Sequence, residues 1–229
     1  MIPRLLLGTA EVPGGGQLRL FRRGGEYSIM LGGNELMSSR TSGSEEALAA
    51  LACGRSAATP DPAILIGGLG MGFTLRAALA AVGPDTRIIV AELVPAVVEW
   101  ARGPMAEVHG DSLSDPRVTV VEGDVGALIG GGRAAYDAIL LDVDNGPDGL
   151  SRAANDALYD ARGLRAAHAA LRPGGVLAVW SSGPDRRFTR RLRDAGFAVE
   201  EVRARANGGR GGARHVIWIA SKAGGRPGM

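Results

Sequence analysis

Residues 63–76 read AILIGGLGMGFTLR, and the rest of the chain is organised around this stretch. Its first four residues are apolar and predict a buried strand, and the residues from Thr74 onward predict a helix. Between them, Gly68, Gly70 and Gly72 allow the backbone to turn sharply and to approach a ligand without a Cβ in the way. This glycine pattern is a weak signal in a chain with 36 glycines, and a plain strand-to-helix turn is the alternative.

The next strand favours the ligand-binding interpretation of the glycine turn. Residues 87–92 read RIIVAE, so this strand ends in Glu92, 20 residues after Gly72. In nucleotide-binding α/β folds, an acid at this place holds the two hydroxyls of a ribose. The strand, the glycine turn, the helix and the acid therefore indicate one nucleotide site.

Length and composition limit the class of protein. The 229 residues, of which 45% are hydrophobic, fit one domain of ordinary size with a small appendage. No apolar run approaches the roughly 20 residues that span a bilayer, and the first residues are too short an apolar stretch for a secretory signal. We therefore expect a cytoplasmic protein without a membrane partner. The single cysteine, Cys53, excludes an internal disulfide and a cysteine-based metal site.

The charge pattern disfavours nucleic acid as a partner. The pI is about 9.1, but the net charge is only +2. Lys222 is the sole lysine, so the basic charge is nearly all arginine, and the arginines are spread along the chain. Nucleic-acid-binding domains usually gather their basic residues in one patch or stripe.

Residues 1–58 predict a small N-terminal β-hairpin region that ends in one helix. Two runs with alternating apolar and polar side chains flank a glycine turn, which is typical of a hairpin. Ser42 and Glu45 match a capping box at the start of the helix. The predicted elements are strands 17–22, 26–31 and 35–38 and a helix over 45–52.

Residues 59–229 predict an α/β domain. Strands and helices alternate, and mostly apolar strands of this kind form a parallel sheet that is covered on both faces. The last two extended runs have only a glycine-rich connection between them and therefore predict an antiparallel hairpin. The fold class is a Rossmann-like, seven-stranded, mostly parallel sheet with an antiparallel terminal hairpin. The predicted strands are 63–67, 87–91, 117–122, 136–142, 174–181, 198–206 and 214–221, and the predicted helices are 74–81, 94–102, 125–129, 156–171 and 185–195.

Several motifs in this order resemble the spermidine synthase family, which has the class I S-adenosylmethionine-dependent methyltransferase fold. The resemblance is good over residues 63–181 and loose over the N-terminal hairpins and Ser44-Glu45. Spaced motifs that occur in register are much more specific than the glycine turn alone. These motifs are GLGMGFTLR at 68–76, AEL at 91–93, DPRVTVVEGD at 115–124, YDAILLD at 136–142 and LRPGG at 171–175.

The resemblance implies a set of cofactor-binding residues. The glycines would border the methionine part and the ribose of S-adenosylmethionine or its decarboxylated form. Glu92 would accept hydrogen bonds from both ribose hydroxyls, and Asp124 would accept one from the adenine amino group. The alternative is that both are exposed acids at strand ends. The complete set is Gly68, Gly70, Met71, Gly72, Glu92, Leu93, Asp124 and Val125.

The resemblance also implies the catalytic and substrate-binding residues. Asp142 would help to take a proton from an attacking amine, since an ammonium has no lone pair. Asp144 follows in the loop where the substrate would approach, and the alternative is that it only forms a turn. Glu45 matches an acid that binds the acceptor. Trp180 would face a sulfonium or an ammonium through cation–π attraction, or would pack in the core.

The chain also departs from the family pattern. Met71 stands where aminopropyltransferases carry an aspartate that binds the ammonium of the decarboxylated cofactor. Leu48 and Ala49 replace the tyrosine and the histidine that hold the diamine, and Met37 and Trp180 replace two glutamines. The acceptor pocket is therefore expected to be more apolar than one built for putrescine.

The sequence thus predicts a spermidine synthase-like transferase that moves an aminopropyl or a methyl group to a small-molecule amine. No metal is expected, because the three histidines have no ligand spacing with one another. A homodimer is left open. The alternatives are a methyltransferase acting on nucleic acid, a non-catalytic nucleotide-binding or dimerisation module, and a dinucleotide-dependent reductase.

Overall fold

A computed structural model describes residues 2–56, 59–143, 153–208 and 211–224. The N-terminal part forms a separate antiparallel sheet of four strands, each paired with the next along the chain. The second and third strands form the hairpin that alternation predicts. These strands are β1 (Leu5–Glu11), β2 (Gln17–Arg23), β3 (Glu26–Leu31) and β4 (Asn34–Ser38).

The first strand is an addition to the sequence prediction. The leucines of β1 are largely exposed at the edge of the sheet, so this strand lacks the alternation of a half-buried one. Its pairing with β2 shifts between Leu6 and Gly8. Gly8 packs against the indole of Trp100, where the Nε1 atom would lie 2.6 Å from a Cβ, so a side chain does not fit there.

The larger sheet has seven strands in the order β10-β11-β9-β8-β5-β6-β7. The five strands from β5 to β9 are parallel, and β11 runs opposite to both of its neighbours. The predicted seven-stranded sheet with a terminal antiparallel hairpin is confirmed. Its strands are β5 (Ala63–Gly67), β6 (Arg87–Glu92), β7 (Val118–Glu122), β8 (Tyr136–Leu141), β9 (Leu171–Ser181), β10 (Ala198–Arg205) and β11 (Arg214–Ser221).

The predicted helices are present, but the structure differs from the sequence prediction at three places. The short helix over Ala106–His109 and the 3₁₀ turn after it were not predicted. The helix predicted over 156–171 is divided at Asp160, whose Oδ1 atom accepts from the N–H groups of Arg162 and Gly163 and so starts a new helix. The first helix is longer than predicted. The helices are α1 (Gly43–Ser56), α2 (Phe73–Ala81), α3 (Pro95–Arg102), α4 (Ala106–His109), α5 (Val125–Gly131), α6 (Ala153–Tyr159), α7 (Ala161–Ala170) and α8 (Arg186–Asp194), with a 3₁₀ turn over Gly110–Ser114.

Two hydrophobic layers cover the larger sheet. Along β5, Ile64 and Ile66 belong to one layer and Leu65 belongs to the other, because successive side chains point to opposite faces. The first layer also contains Leu20 and Ile29 of the N-terminal sheet. The N-terminal sheet therefore shares a core with the larger one, and the division at residues 58 and 59 stays a prediction.

Parallel strands β5 to β8 place their carboxyl ends at one edge of the sheet, and the glycine turn and the strand-end acids lie there. In open α/β sheets, ligands bind at this edge. In the described part of the chain, no helix is both long and apolar enough to cross a bilayer.

Candidate active site

The glycine turn has a backbone that requires glycine. Gly68, Gly70 and Gly72 have φ angles of 89°, 49° and 77°, in the left-handed region. A Cβ on Gly68 would lie 2.5 Å from the carbonyl oxygen of Asp142. The turn is thus held against the end of β8, and the interpretation as a close-approach loop agrees with this geometry.

Glu92 is a buried acid that shapes the glycine turn. Its side chain is only 7% exposed. Oε2 accepts a hydrogen bond of 3.0 Å from the N–H of Leu69, and Oε1 accepts one of 2.9 Å from the N–H of Val94. Burial raises the pKa of Glu92, and the surrounding N–H groups, that of Val94 first, oppose this rise. Glu92 is therefore not the exposed strand-end acid of the alternative interpretation.

Asp124 is exposed and caps a helix. Its Oδ1 atom accepts a 2.8 Å hydrogen bond from the N–H of Gly126 in the first turn of α5. Val125 is buried beneath the site, and its methyl groups would lie 3.1–3.2 Å from a Cβ on Gly67. The Asp124 carboxylate, which follows β7, therefore lies beside the tightly packed first turn of α5.

Most of the predicted cofactor residues line one cavity, which we call the first cavity. The N-terminal sheet closes this cavity with apolar side chains, which include Leu18 and Leu31, and Val12 joins them from the turn after β1. Of the strands of this sheet, only β4 was expected to contribute to the site, through Met37. The predicted residues that line the first cavity are Gly68, Gly70, Glu92, Leu93, Asp124, Val125 and Asp142.

The other predicted residues line an adjacent cavity, which we call the second cavity. Apart from Glu45 and Asp142, its lining is largely apolar and includes Phe73. The two cavities share Leu36, Met37, Gly70 and Asp142. Asp142 therefore stands where the two cavities meet. The predicted residues that line the second cavity are Glu45, Gly70, Met71, Gly72, Asp142 and Trp180.

Asp142 has the properties of a base that works near neutral pH. Its half-buried side chain accepts a 2.6 Å hydrogen bond at Oδ2 from the hydroxyl of Thr74. Desolvation by the surrounding protein, and then the charge of Glu45, raise the pKa of Asp142 to about 7, while the Thr74 hydroxyl opposes this rise. A base is most effective when its pKa lies near the working pH.

Glu45 lies in the first turn of α1 and faces the same space. Its Oε2 atom accepts a 2.6 Å hydrogen bond from the hydroxyl of Ser44. Burial raises the pKa of Glu45, and the Ser44 hydroxyl opposes the rise. Trp180 is half-buried at the end of β9, and its ring meets the ring of His215 at a centroid distance of 4.7 Å.

The residues that depart from the family pattern lie in two environments. Met71 is only 4% exposed, and it lines the second cavity but not the first. Leu48 and Ala49 are fully buried in the first hydrophobic layer and line neither cavity. Met37 lines both cavities. Asp144 lies outside the described residues.

Sequence reasoning missed several residues around the site. Thr74 lies within the motif at 68–76, and Ser44 directly precedes Glu45, but neither was given a role at the site. Each is a hydroxyl residue in the first turn of a helix, which was the signal that the sequence offered. His109 packs directly behind Gly72, and burial lowers its pKa to about 4. His215 is far from Ser44 in sequence, so their contact could be found only from the structure.

Within the described ranges, no three His, Cys, Asp or Glu side chains form a group that could hold a metal ion. The arrangement instead offers an apolar cavity with acids at its edge, next to a second cavity with two carboxylates. Such a pair of cavities can bring an adenosyl-type group and an amine together beside one base.

The sequence comparisons point to one family. Residues 44–185, more than half of the chain, match the model of the spermine/spermidine synthase domain. The chain is 34% identical over 147 residues to a polyamine aminopropyltransferase of Mycobacterium tuberculosis, which covers 59% of this chain and 27% of that protein. It is 33% identical over 124 residues to polyamine aminopropyltransferase 2 of Pseudomonas aeruginosa, which covers 52% of this chain and 33% of that protein. The chain thus spans about a third or less of these curated relatives.

The structural comparisons agree on the fold. The spermidine synthase of Thermotoga maritima superposes with a TM-score of 0.75 at 19% identity, over 95% of this chain and 73% of that one. A spermidine synthase in complex with the transition-state analogue AdoDATO gives a TM-score of 0.74 at 18% identity, over 95% and 72%. At these identities the likeness shows the fold alone. The family match shows that the chain belongs to the spermine/spermidine synthase domain family.

Proposed function

We propose that the chain transfers an aminopropyl group from decarboxylated S-adenosylmethionine to a small-molecule amine. The observation that carries this proposal is the position of Asp142, which lines both cavities. The names of the curated relatives, which are polyamine aminopropyltransferases, support the choice of transferred group. The cytoplasmic location and the homodimer stay predictions.

The adenosyl part of the cofactor fits the first cavity. Glu92 is buried there, and its carboxylate accepts hydrogen bonds from backbone N–H groups that include those of Leu69 and Val94. In this proposal the same carboxylate also accepts from the ribose hydroxyls. Gly68 and Gly70 line the same cavity, and both have backbone φ angles in the left-handed region that glycine adopts readily. In this proposal, Asp124 and the N–H of Val125 bind the adenine, and Leu93 borders it.

The acceptor amine fits the second cavity. Glu45 and Asp142 provide negative charge for an ammonium, and the lining around them is apolar. Trp180 presents an aromatic ring to the same cavity, and a ring of this kind attracts a cation that has lost its water. Asp144 is proposed, from the family resemblance, to join them on the substrate side.

The chemical step needs little besides positioning and one proton transfer. Asp142 takes a proton from the ammonium, and the freed nitrogen lone pair forms a bond to the propyl carbon next to the sulfonium. The carbon–sulfur bond breaks with its electron pair on sulfur, which leaves a neutral thioether. Holding the two reactants in line accounts for much of the acceleration. A base with a pKa near 7 is suited to take up the proton.

Methyl transfer from S-adenosylmethionine is the second candidate. Met71 favours it, because a buried methionine in the second cavity supplies no charge for the ammonium of a transferable aminopropyl group. In methyl transfer the same base and the same in-line geometry would serve. The two reactions differ in the group that the amine gains.

Calorimetry with four ligands tests the proposal. We expect decarboxylated S-adenosylmethionine and methylthioadenosine to bind, because both carry the adenosine that the first cavity fits. Comparable binding of S-adenosylmethionine would favour the methyl-transfer candidate. Binding of NAD without binding of any sulfur nucleoside would contradict both transfer reactions.

A further inference from the structure

Glu45 is held in the second cavity by a chain of hydrogen bonds. Ser44, which is only 1% exposed, lies next to it in the first turn of α1. The Oγ atom of Ser44 is 2.6 Å from Oε2 of Glu45 and 2.9 Å from Nδ1 of His215. His215 belongs to β11, at the far end of the sequence. The start of α1 and strand β11, which are 171 residues apart in sequence, thus meet at the predicted acceptor site.

When Glu45 is ionised, as binding of an ammonium requires, the chemistry of the three groups fixes the direction of these hydrogen bonds. An ionised carboxylate only accepts, so the single hydroxyl proton of Ser44 points to Glu45. Ser44 Oγ must then accept from the imidazole, and His215 must carry its proton on Nδ1. Burial lowers the pKa of His215, which favours the neutral ring. A neutral imidazole has only one N–H, so the tautomer decides whether this hydrogen bond forms.

The backbone joins the same two segments beside these side chains. The N–H of Gly43 donates a 2.8 Å hydrogen bond to the carbonyl oxygen of Ala206, in the connection between β10 and β11. A Cβ on Gly43 would overlap with the backbone of Gly208. Ala206 and Gly208 thus lie directly against the start of α1, which carries Ser44 and Glu45.

His215 also contacts a second lining residue. Its ring meets the ring of Trp180 edge to face, with an interplanar angle of 67°. Trp180 and Glu45 line the second cavity together. The His215 imidazole therefore contacts one lining residue, Trp180, directly and reaches the other, Glu45, through Ser44.

We infer that His215 and Ser44 are positioning residues that hold the Glu45 carboxylate toward the acceptor amine, through the chain His215 Nδ1–H to Ser44 Oγ–H to Glu45 Oε2. This inference rests on the proposed function, because it assigns the amine to the second cavity. The hydrogen-bonded chain itself exists without substrate and can be measured separately.

Four variants test whether the hydrogen-bond donor of His215, rather than its ring, positions Glu45. His215→Phe keeps an aromatic ring against Trp180 but removes the donor, and His215→Asn keeps a donor without the ring. Ser44→Ala breaks the chain at its centre. His168→Phe is the matched control, because His168 also makes an edge contact with an aromatic ring, that of Phe197, and lines neither cavity.

Steady-state kinetics give the first test. For His215→Phe and Ser44→Ala we expect the KM for the amine to rise about tenfold, with kcat and cofactor affinity changed less than about threefold. His215→Asn should recover most of the loss, and His168→Phe should match the unsubstituted protein. An unchanged amine KM in both His215→Phe and Ser44→Ala would overturn the inference.

Nitrogen NMR of protein with labelled histidine gives a test that needs no activity. The His215 ring should show a protonated Nδ1, and Ser44→Ala should shift it toward the Nε2–H form. A protonated Nε2 with a bare Nδ1 in the unsubstituted protein would overturn the inference, whatever the kinetics show. A protein with this Nδ1–H tautomer that modifies no amine would instead contradict the proposed function.

Discussion

The hydroxyl of Thr74 donates a 2.6 Å hydrogen bond to Oδ2 of Asp142. Thr74 lies in the first turn of α2, directly after the glycine turn, and Asp142 follows the end of β8. The hydrogen bond therefore joins the loop that borders the first cavity to the acid that stands between the two cavities. It fixes the direction of one carboxylate oxygen and stabilises the ionised form of Asp142.

Replacing Thr74 with valine is expected to raise the pKa of Asp142. A hydrogen bond to a charged group contributes about 1.5–3 kcal/mol, so its loss should move the pKa upward by roughly one unit or more. Activity should then reach its half-maximum at a higher pH than in the unsubstituted protein, and should recover in alkaline solution. Thr119→Val, on the exposed side of β7, is the control. An unchanged pH profile of kcat would contradict this role of Thr74.

Asp142→Asn should stabilise the free protein in mildly alkaline solution. The folded state raises the pKa of Asp142 from 3.8 to about 7 and so binds its proton more tightly than the unfolded chain. The stabilisation due to this proton is complete below the unfolded pKa and is lost as the pH rises through about 7. The amide removes this loss, which we place at roughly 1–3 kcal/mol near pH 8.

Thermal unfolding at several pH values measures this effect. The melting temperature of Asp142→Asn relative to the unsubstituted protein should increase between about pH 5 and about pH 8. Asp85→Asn, on the exposed turn before β6, should show no such trend. A difference that shrinks as the pH rises would contradict the raised pKa of Asp142 in the folded protein. The same variant should lose most of its activity, because an amide cannot take the proton.

Asp124→Ala should weaken cofactor binding beyond its effect on the fold. Asp124 caps α5, and Asp160 caps α7 through the same kind of contact with backbone N–H groups. Loss of either cap costs about 0.5–2 kcal/mol, so both alanine variants should melt at similarly lower temperatures. Only Asp124→Ala should reduce the affinity for methylthioadenosine in calorimetry. Equal affinities in the two variants would remove Asp124 from the adenine site.

The sequence predicted the larger sheet well because its strands are almost wholly apolar and its turns are rich in glycine. The apolar run from Ile64 to Ile66 indicated a buried strand, and the alternating glycines at 68, 70 and 72 indicated a turn after it. The division of the predicted 156–171 helix was harder to find. Asp160 ends one helix and caps the next, and a Cβ on Gly163 would overlap with the carbonyl oxygens at the end of the first helix. Neither residue interrupts the predicted helix as a proline would.

The site was predictable where the family motifs are local and not where the contacts are distant. Glu92 is the last residue of β6 and Asp142 directly follows β8, so the edge of the sheet at which they lie could be predicted. The hydrogen bonds from Leu69 and Val94 to Glu92 show that this acid also shapes the turn, which a ligand role alone does not indicate. His215 contacts Ser44 only because the terminal hairpin packs against α1, and no sequence motif predicts a contact between residues so far apart.

Met71→Asp should shift the cofactor preference toward the decarboxylated form. The added carboxylate would attract the ammonium of that form and repel the α-carboxylate of S-adenosylmethionine, which together could change relative affinity by up to about a hundredfold. Because Met71 is only 4% exposed, the charge should also lower stability. Met71→Asn is the matched control, since it has similar size and polarity without the charge. Calorimetry with both cofactors, in all three proteins, tests the charge effect. An equal shift in both variants would show that charge is not the cause.

The most direct measurement of the proposed transfer is the mass of the amine product. The protein is incubated with decarboxylated S-adenosylmethionine and a mixed panel of polyamines and amino acids, and amines and nucleosides are analysed together by mass spectrometry. We predict an amine that has gained an aminopropyl group, an equal amount of methylthioadenosine, and loss of both products in Asp142→Asn. Methylthioadenosine released in equal amounts by the unsubstituted protein and Asp142→Asn, without any modified amine, would contradict the account.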